Sequence, residues 1–179
     1  EVFNAVIRDG HKKIIIPKAR RRGMSTGIDV MMLDQAMTIA GFEGGIVDRN
    51  QADASKKLEN IIKTSFENLP PIIMDDTKVI KNNDDRLSFQ VGDDTSSNIY
   101  AATGYRGGNC NFLHVSEWGW IQCEDAKRSE EIQTGAIQAA RKGQIIVETT
   151  WKGGKHGHLW DYMEQSILTD DEDKHARSW

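Results

Sequence analysis

Residues 18–26 read Lys18-Ala19-Arg20-Arg21-Arg22-Gly23-Met24-Ser25-Thr26. These residue types suit the holding of phosphate: four cations, a glycine that lets the chain turn tightly, and two hydroxyls. In the pattern G-x-x-x-x-G-K-[ST], backbone N–H groups close on phosphate oxygens, the lysine neutralises the outer phosphates and the hydroxyl ligates Mg²⁺. Gly23 and Ser25 stand where the second glycine and the hydroxyl belong, while Lys18 and Met24 stand at the first glycine and the lysine. By itself the segment reads as a phosphate cradle or as a solvated basic turn.

Two further segments carry chemistry. Phe112-Leu113-His114-Val115-Ser116-Glu117 is an apolar strand ending in a carboxylate. Hydrolysis of a bound phosphoanhydride needs such an acid after a second buried strand, where it orders Mg²⁺ and the attacking water. The common form ends in Asp-Glu; Ser116 replaces the Asp, so its hydroxyl can meet a metal-bound water but brings no charge. Glu117 can instead be a cap for the next helix. Glu148-Thr149-Thr150 ends a later strand, where helicase-like motors carry a hydroxyl-rich motif that senses the γ-phosphate. The competing reading is a polar strand end.

The elements that must position these groups follow from periodicity. Ile14, Ile15, Ile16 and Pro17 predict a buried strand over about Lys12 to Pro17, and Ile28, Met32, Ala36 and Ile39 recur at helical spacing from Ser25 to Ala40. Strand, basic loop and helix N-terminus is a geometry that binds phosphate. A strand over Gly44 to Val47 follows, then a helix capped by Asn50, with Asp53 near its positive end and Ala54, Leu58, Ile61, Ile62 and Phe66 on one face. Leu69-Pro70-Pro71 stops it. Lys78 to Ile80 and the alternating Leu87, Phe89 and Val91 predict a hairpin around Asn82 to Asp85, with another strand over about Asn98 to Ala102. The loop Gly104 to Gly108 holds Arg106 at its centre. A helix over about Glu124 to Arg141, a strand over Gln144 to Val147 and a last helix near His158 to Ile167 complete the chain. Strands alternating with helices predict an α/β fold with a mainly parallel central sheet flanked by helices, its chemistry at the strand ends.

The chain of 179 residues fits one domain, 1–179, and its net charge of −4 argues against a surface that coats nucleic acid all over. Charge is uneven: Lys12, Lys13, Lys18, Arg20, Arg21 and Arg22 crowd one segment, and Asp170 to Asp173 form an acidic end. A local basic site for nucleotide or DNA backbone is compatible with that. No run approaches the length of a membrane span. Cys110 and Cys123 are read as reduced thiols, His114 as a core histidine, and Met31, Met32 and Met37 as core filler. His156 and His158 lack a third ligand at useful spacing and read as a polar loop; Ser116 lacks a hydrolase nucleophile's glycine context.

Taken together, Lys18-Ala19-Arg20 with Gly23-x-Ser25-Thr26, Arg106-Gly107-Gly108 before Asn111 to Glu117, and Glu148-Thr149-Thr150 before a glycine-rich loop resemble the ATPase domain of a bacteriophage terminase large subunit. That motor packages DNA into a procapsid. The resemblance runs from about Ile14 to Asp161. It implies a P-loop NTPase of the additional-strand (ASCE) type that hydrolyses ATP with Mg²⁺. It further implies that Lys18 is a relocated phosphate-binding lysine, Arg20 contacts the γ-phosphate, and Glu117 orients the water. Arg22, Gly23, Met24, Ser25, Thr26, Thr149 and Thr150 would surround the nucleotide, and Ser25 and Ser116 would face the metal. Implied partners are double-stranded DNA, a portal protein, a small terminase subunit and a homo-oligomeric ring on the procapsid, without a membrane, in the host cell cytoplasm. Full large subunits also carry a nuclease domain; the consecutive acids Asp170 to Asp173 do not read as its site, so none is expected in this chain. A helicase-like translocase and a catalytically weak nucleic-acid-binding or assembly module are the alternatives.

Overall fold

A computed structural model of the chain describes residues 12–75, 77–93, 95–102, 108–150 and 157–167. The loop centre at Arg106, the glycine-rich loop after Thr150 with His156, and the acids Asp170 to Asp173 lie outside these residues. The elements are β1 (Lys13–Lys18), α1 (Met24–Thr38), β2 (Glu43–Val47), α2 (Gln51–Lys57), α3 (Thr64–Glu67), α4 (Pro71–Asp75), β3 (Lys78–Asn83), β4 (Arg86–Gln90), β5 (Ser96–Ala101), β6 (Phe112–Ser116), α5 (Trp118–Glu124), α6 (Ala126–Glu131), α7 (Ile137–Ala139), β7 (Gln144–Thr150) and α8 (His158–Ile167).

Seven strands form one sheet in the order β1-β7-β6-β2-β5-β4-β3. β1, β7, β6, β2 and β5 run parallel, whereas β4 and β3 are antiparallel additions forming the expected hairpin. β7 lies between β1 and β6, the insertion that defines the additional-strand class. β6 is buried at every position, as a parallel strand covered on both faces must be. β3, at the edge among the described strands, is exposed throughout.

Helices cover both faces. Ile28, Met32, Leu33 and Ala36 of α1 and Leu58 and Ile62 beyond α2 pack on Ile16, Ile46, Phe112 and Ile146. On the opposite face Trp118, Ile121, Ile132, Ile137, Leu159 and Tyr162 pack on Leu113, Val115, Ile145 and Val147. Strand side chains alternate between the faces. Lys18, Ser116, Glu148 and Asp48, just past β2, therefore share the face that α1 and α2 cover.

Asn50 caps α2 as expected, its side chain accepting from the Asp53 N–H at 2.8 Å, a contact worth about 1 kcal/mol in such caps. The helix is not uniform: a π-helical stretch, Leu58–Lys63, separates α2 from α3. The helix expected from Glu124 starts earlier and is broken. α5 begins directly after Glu117, and Asp125 ends it by capping α6, its carboxylate accepting from the Arg128 N–H at 3.0 Å. Short acidic side chains compete with helix continuation in this way. β7 runs to Thr150 rather than Val147, so Glu148 and Thr149 are strand residues. Cys110 is buried and Cys123 exposed, neither in a disulfide, and burial pushes the Cys110 thiol up to about 12. Among the described residues no helix is long and apolar enough to cross a membrane.

Candidate functional site

The C-terminal ends of β1, β6 and β2, with the loop after β1 and the polar face of α2, line a cleft of about 460 Å³. Lys18, Arg20, Arg21, Arg49, Lys56 and Lys57 line it with three acids, Asp48, Asp53 and Glu117. The excess of cations makes this a place for a polyanion on a chain whose net charge is −4.

The backbone of the basic loop is turned by two left-handed residues, Arg21 at φ 58° and Gly23 at φ 71°. Gly23 stands at the N-cap position of α1 and Met24 opens the helix. Met24 packs against the apolar cluster beneath, so at the usual lysine position the side chain turns into the protein. What Met24 can offer a bound nucleotide is therefore its backbone. Arg22, Gly23 and Thr26 sit on the loop and first turn and do not line the cleft.

The floor is built around Glu148, whose side chain is wholly buried. Ser25 Oγ donates to Glu148 Oε1 at 2.6 Å and Ser116 Oγ donates to the same oxygen at 2.8 Å. Lys18 Nζ lies 2.9 Å from Glu148 Oε2 and 3.4 Å from Ser25 Oγ. Lys57 Nζ bonds Ser116 Oγ and lies 3.5 Å from Glu148 Oε1 and 3.2 Å from Asp48 Oδ2. Beneath them His114 Nε2 is 3.5 Å from Glu148 Oε1, and His114 Nδ1 is 2.6 Å from Asp29 Oδ1. His114 is the core histidine expected, joined on both sides to buried carboxylates.

Burial pushes the Glu148 carboxyl up, but His114, Ser25 and Lys57 outweigh it and hold the group well below the usual carboxylate range. Burial pulls His114 down, and Asp29 with Glu148 more than offsets that, so His114 is raised above its ordinary value. The two act on stability in opposite directions. The Glu148 contribution is complete above its ordinary value of 4.5 and is lost as pH falls toward its lowered one. The His114 contribution is complete below 6.5 and is lost as pH rises through its raised value. Urea unfolding across the acid range should show stability dropping on acidification in the wild type and a shallower drop in Glu148→Gln. Identical acid limbs would show that Glu148 is not coupled to folding.

Glu117 is half-buried on the cleft wall, at φ 56° and ψ 37°. A non-glycine residue in that region costs about 1–3 kcal/mol and tends to persist at functional sites. It occupies the N-cap position of α5, yet its side chain makes no capping hydrogen bond. The capping alternative therefore does not account for it. Above it Arg49 stacks on Trp120, guanidinium carbon to ring centre 5.4 Å.

Thr149 requires a correction. It points to the face opposite Glu148, where Oγ1 accepts from the Gly119 N–H at 2.9 Å and donates to the Thr150 carbonyl. Alternation along β7 sends it to α5, away from the cleft. Thr150 sits in register with Lys18, and its buried Oγ1 has no hydrogen-bond partner.

The sequence-predicted Lys18, Arg20, Ser25, Ser116 and Glu117 thus meet around one cleft. Lys57, Asp48 and Asp29 join them from outside the sequence motifs, and Glu148 joins from a motif in which only the threonines are expected at the nucleotide. Glu148 and Asp48 carry the signal of an acid at a parallel strand's C-terminal end; Lys57, on a polar helix face, carries none. Among the described residues no three His, Cys, Asp or Glu side chains cluster as a closed metal site. The donors at the floor are hydroxyl and carboxylate oxygens.

No protein-family model matches this chain, and a comparison with curated proteins gives no match. Among solved structures, the Thermus phage P74-26 large terminase ATPase domain superposes with a TM-score of 0.62 at 16% identity, covering 90% of this chain and 68% of that one. The HK97 bacteriophage large terminase gives 0.64 at 16% identity, over 92% of this chain and 34% of that one. A large terminase from a thermophilic bacteriophage, solved in complex with ADP, gives 0.61 at 11% identity, over 89% of this chain and 38% of that one. The fold of this chain is that of phage large terminase ATPase domains, an additional-strand P-loop architecture.

Proposed function

We propose that this chain is the ATP-hydrolysing motor domain of a phage terminase large subunit, driving double-stranded DNA into a procapsid. The observation that carries the reading is the cationic cleft at the ends of parallel strands, with Lys18 and Ser25 on its floor, buried Glu148 bonded beneath them and strained Glu117 on its wall. The fold it shares with terminase ATPase domains, and with a large terminase solved with ADP, supports ATP as the polyanion.

In this reading Lys18 and Arg20 bind and neutralise the outer phosphates, and the left-handed turn at Gly23 aims the first N–H groups of α1 at them. Glu117 orients a water for in-line attack on the γ-phosphorus and draws on its proton. The oxygen donors present fit Mg²⁺, which takes one or two protein oxygens and keeps water and phosphate for the rest. Ser25 and Ser116 are the hydroxyls that would hold it, and when bound it would neutralise charge developing on the phosphates. Portal protein, a small terminase subunit and a ring of like subunits are the proposed partners, in the host cell cytoplasm.

Steady-state ATP hydrolysis with and without duplex DNA tests this. Turnover is expected, raised by DNA, with duplex binding that is weak, sequence-indifferent and lost as salt rises, since only local basic patches are present. Nucleotide binding with no turnover under either condition would favour an assembly module instead. Tight, salt-insensitive binding to one sequence would contradict the motor.

A further inference from the structure

We propose that Glu148 is the metal carboxylate of this cleft, supplying from β7 the charge that Ser116 does not supply from β6. This deepens the nucleotide-hydrolysis reading and rests on it. A Mg²⁺ site in a nucleotide-binding cleft ordinarily includes one or two carboxylates besides the substrate's phosphates. The two hydroxyls, Ser25 and Ser116, bring none.

Of the acids near the floor, one touches both hydroxyls. Glu148 Oε1 accepts from Ser25 at 2.6 Å and from Ser116 at 2.8 Å. Ser116 and Glu148 are register partners on neighbouring strands, so the carboxylate has moved sideways by one strand while staying on the same face. Asp48, on the other flank of Ser116, lines the cleft but bonds neither hydroxyl. Its Oδ1 accepts from the Arg49 N–H at 2.6 Å and its Oδ2 lies 3.2 Å from Lys57. Glu117 stands beyond the strand end, on the cleft wall, where the attacking water belongs.

The cations around Glu148 fit the same assignment. A wholly buried carboxylate must be compensated, and here Lys18 and Lys57 do it. Glu148 Oε2 has Lys18 at 2.9 Å but takes no hydrogen bond of good geometry. A divalent ion on Glu148 would replace the compensation that Lys18 gives and leave that ammonium to the outer phosphates. Lys18 and Glu148 would then be an exchangeable pair: joined without nucleotide, parted with it.

The test is Mn²⁺ binding in the presence of ADP, followed by electron paramagnetic resonance, together with ADP affinity measured with Mg²⁺ and with chelator. Glu148→Gln should weaken Mn²⁺ by at least about tenfold, the scale at which even indirect ligand contacts act, and remove the Mg²⁺ dependence of ADP affinity. Adding Ser116→Asp to Glu148→Gln returns a carboxylate to β6 and should restore Mn²⁺ binding. Glu148→Asp keeps the charge but withdraws it from Ser25, and should weaken Mn²⁺ even if Glu148→Gln does not fold. Wild-type Mn²⁺ affinity in a folded Glu148→Gln or Glu148→Asp protein would overturn the proposal. A wild type that binds ADP under neither condition would overturn the nucleotide reading beneath it.

Discussion

Glu117→Gln is expected to bind nucleotide as the wild type does and to hydrolyse ATP at least about a hundredfold more slowly, the scale of a positioned acid–base group. The amide keeps the size and can still hold a water, but it cannot draw on the proton as a carboxylate does. The substitution is clean for a structural reason: Glu117 holds the N-cap position of α5 without a side-chain cap bond, so no helix contact is lost. Its φ of 56° is a property of the backbone, unchanged by Gln. Single-turnover hydrolysis beside ADP affinity reads the two effects apart. Unchanged turnover would remove Glu117 from the mechanism.

Lys18→Ala is expected to weaken ATP binding by about tenfold or more, while Lys12→Ala and Lys13→Ala do little. The reason is environment. The Lys18 side chain is 11% exposed on the cleft floor, where a charge contact to phosphate is less screened than on the surface. Lys12 and Lys13 do not line the cleft. Removing Lys18 also leaves Glu148 short of one partner, and breaking such a buried pair costs about 3–5 kcal/mol. Pairing Lys18→Ala with Glu148→Gln separates the two effects: stability should return and nucleotide affinity should not. Met24→Lys in the Lys18→Ala background should recover part of the binding. Recovery stays partial because Met24 faces the apolar cluster and a lysine there must leave it. Equal effects from Lys12, Lys13 and Lys18 would mean that the basic segment acts as a diffuse patch.

The order and kind of most elements were legible in the chain because burial and periodicity are local signals. Ile14 to Ile16, Phe112 to Ser116 and Ile145 to Val147 read as strands from their apolar runs, and Gly23 before Met24, Ser25 and Thr26 marked a turn into a helix. Ser25, Ser116 and Glu117 stand out by residue type and position, and Lys18 by the family resemblance. Past the apolar run of β7 local pattern does not separate Thr149, which the pleat sends to α5, from Glu148 beside it, which bonds Ser25 and Ser116. The broken helix after Glu117 turned on one Asp125 cap, which periodicity does not register.

What only the tertiary structure decided is which strands are neighbours. β1 and β7 are adjacent in space and far apart in sequence, and β7 slots between β1 and β6. That insertion sets Glu148 between Lys18 and Ser116 and brings Lys57 and Asp48 in from β2 and the helix after it. Alternation fixes the face on which each side chain stands, but the face is shared by every strand of the sheet. The sharing of Glu148 by two hydroxyls and two ammoniums is set by strand order, which follows from how whole layers pack and which no local stretch of residues encodes.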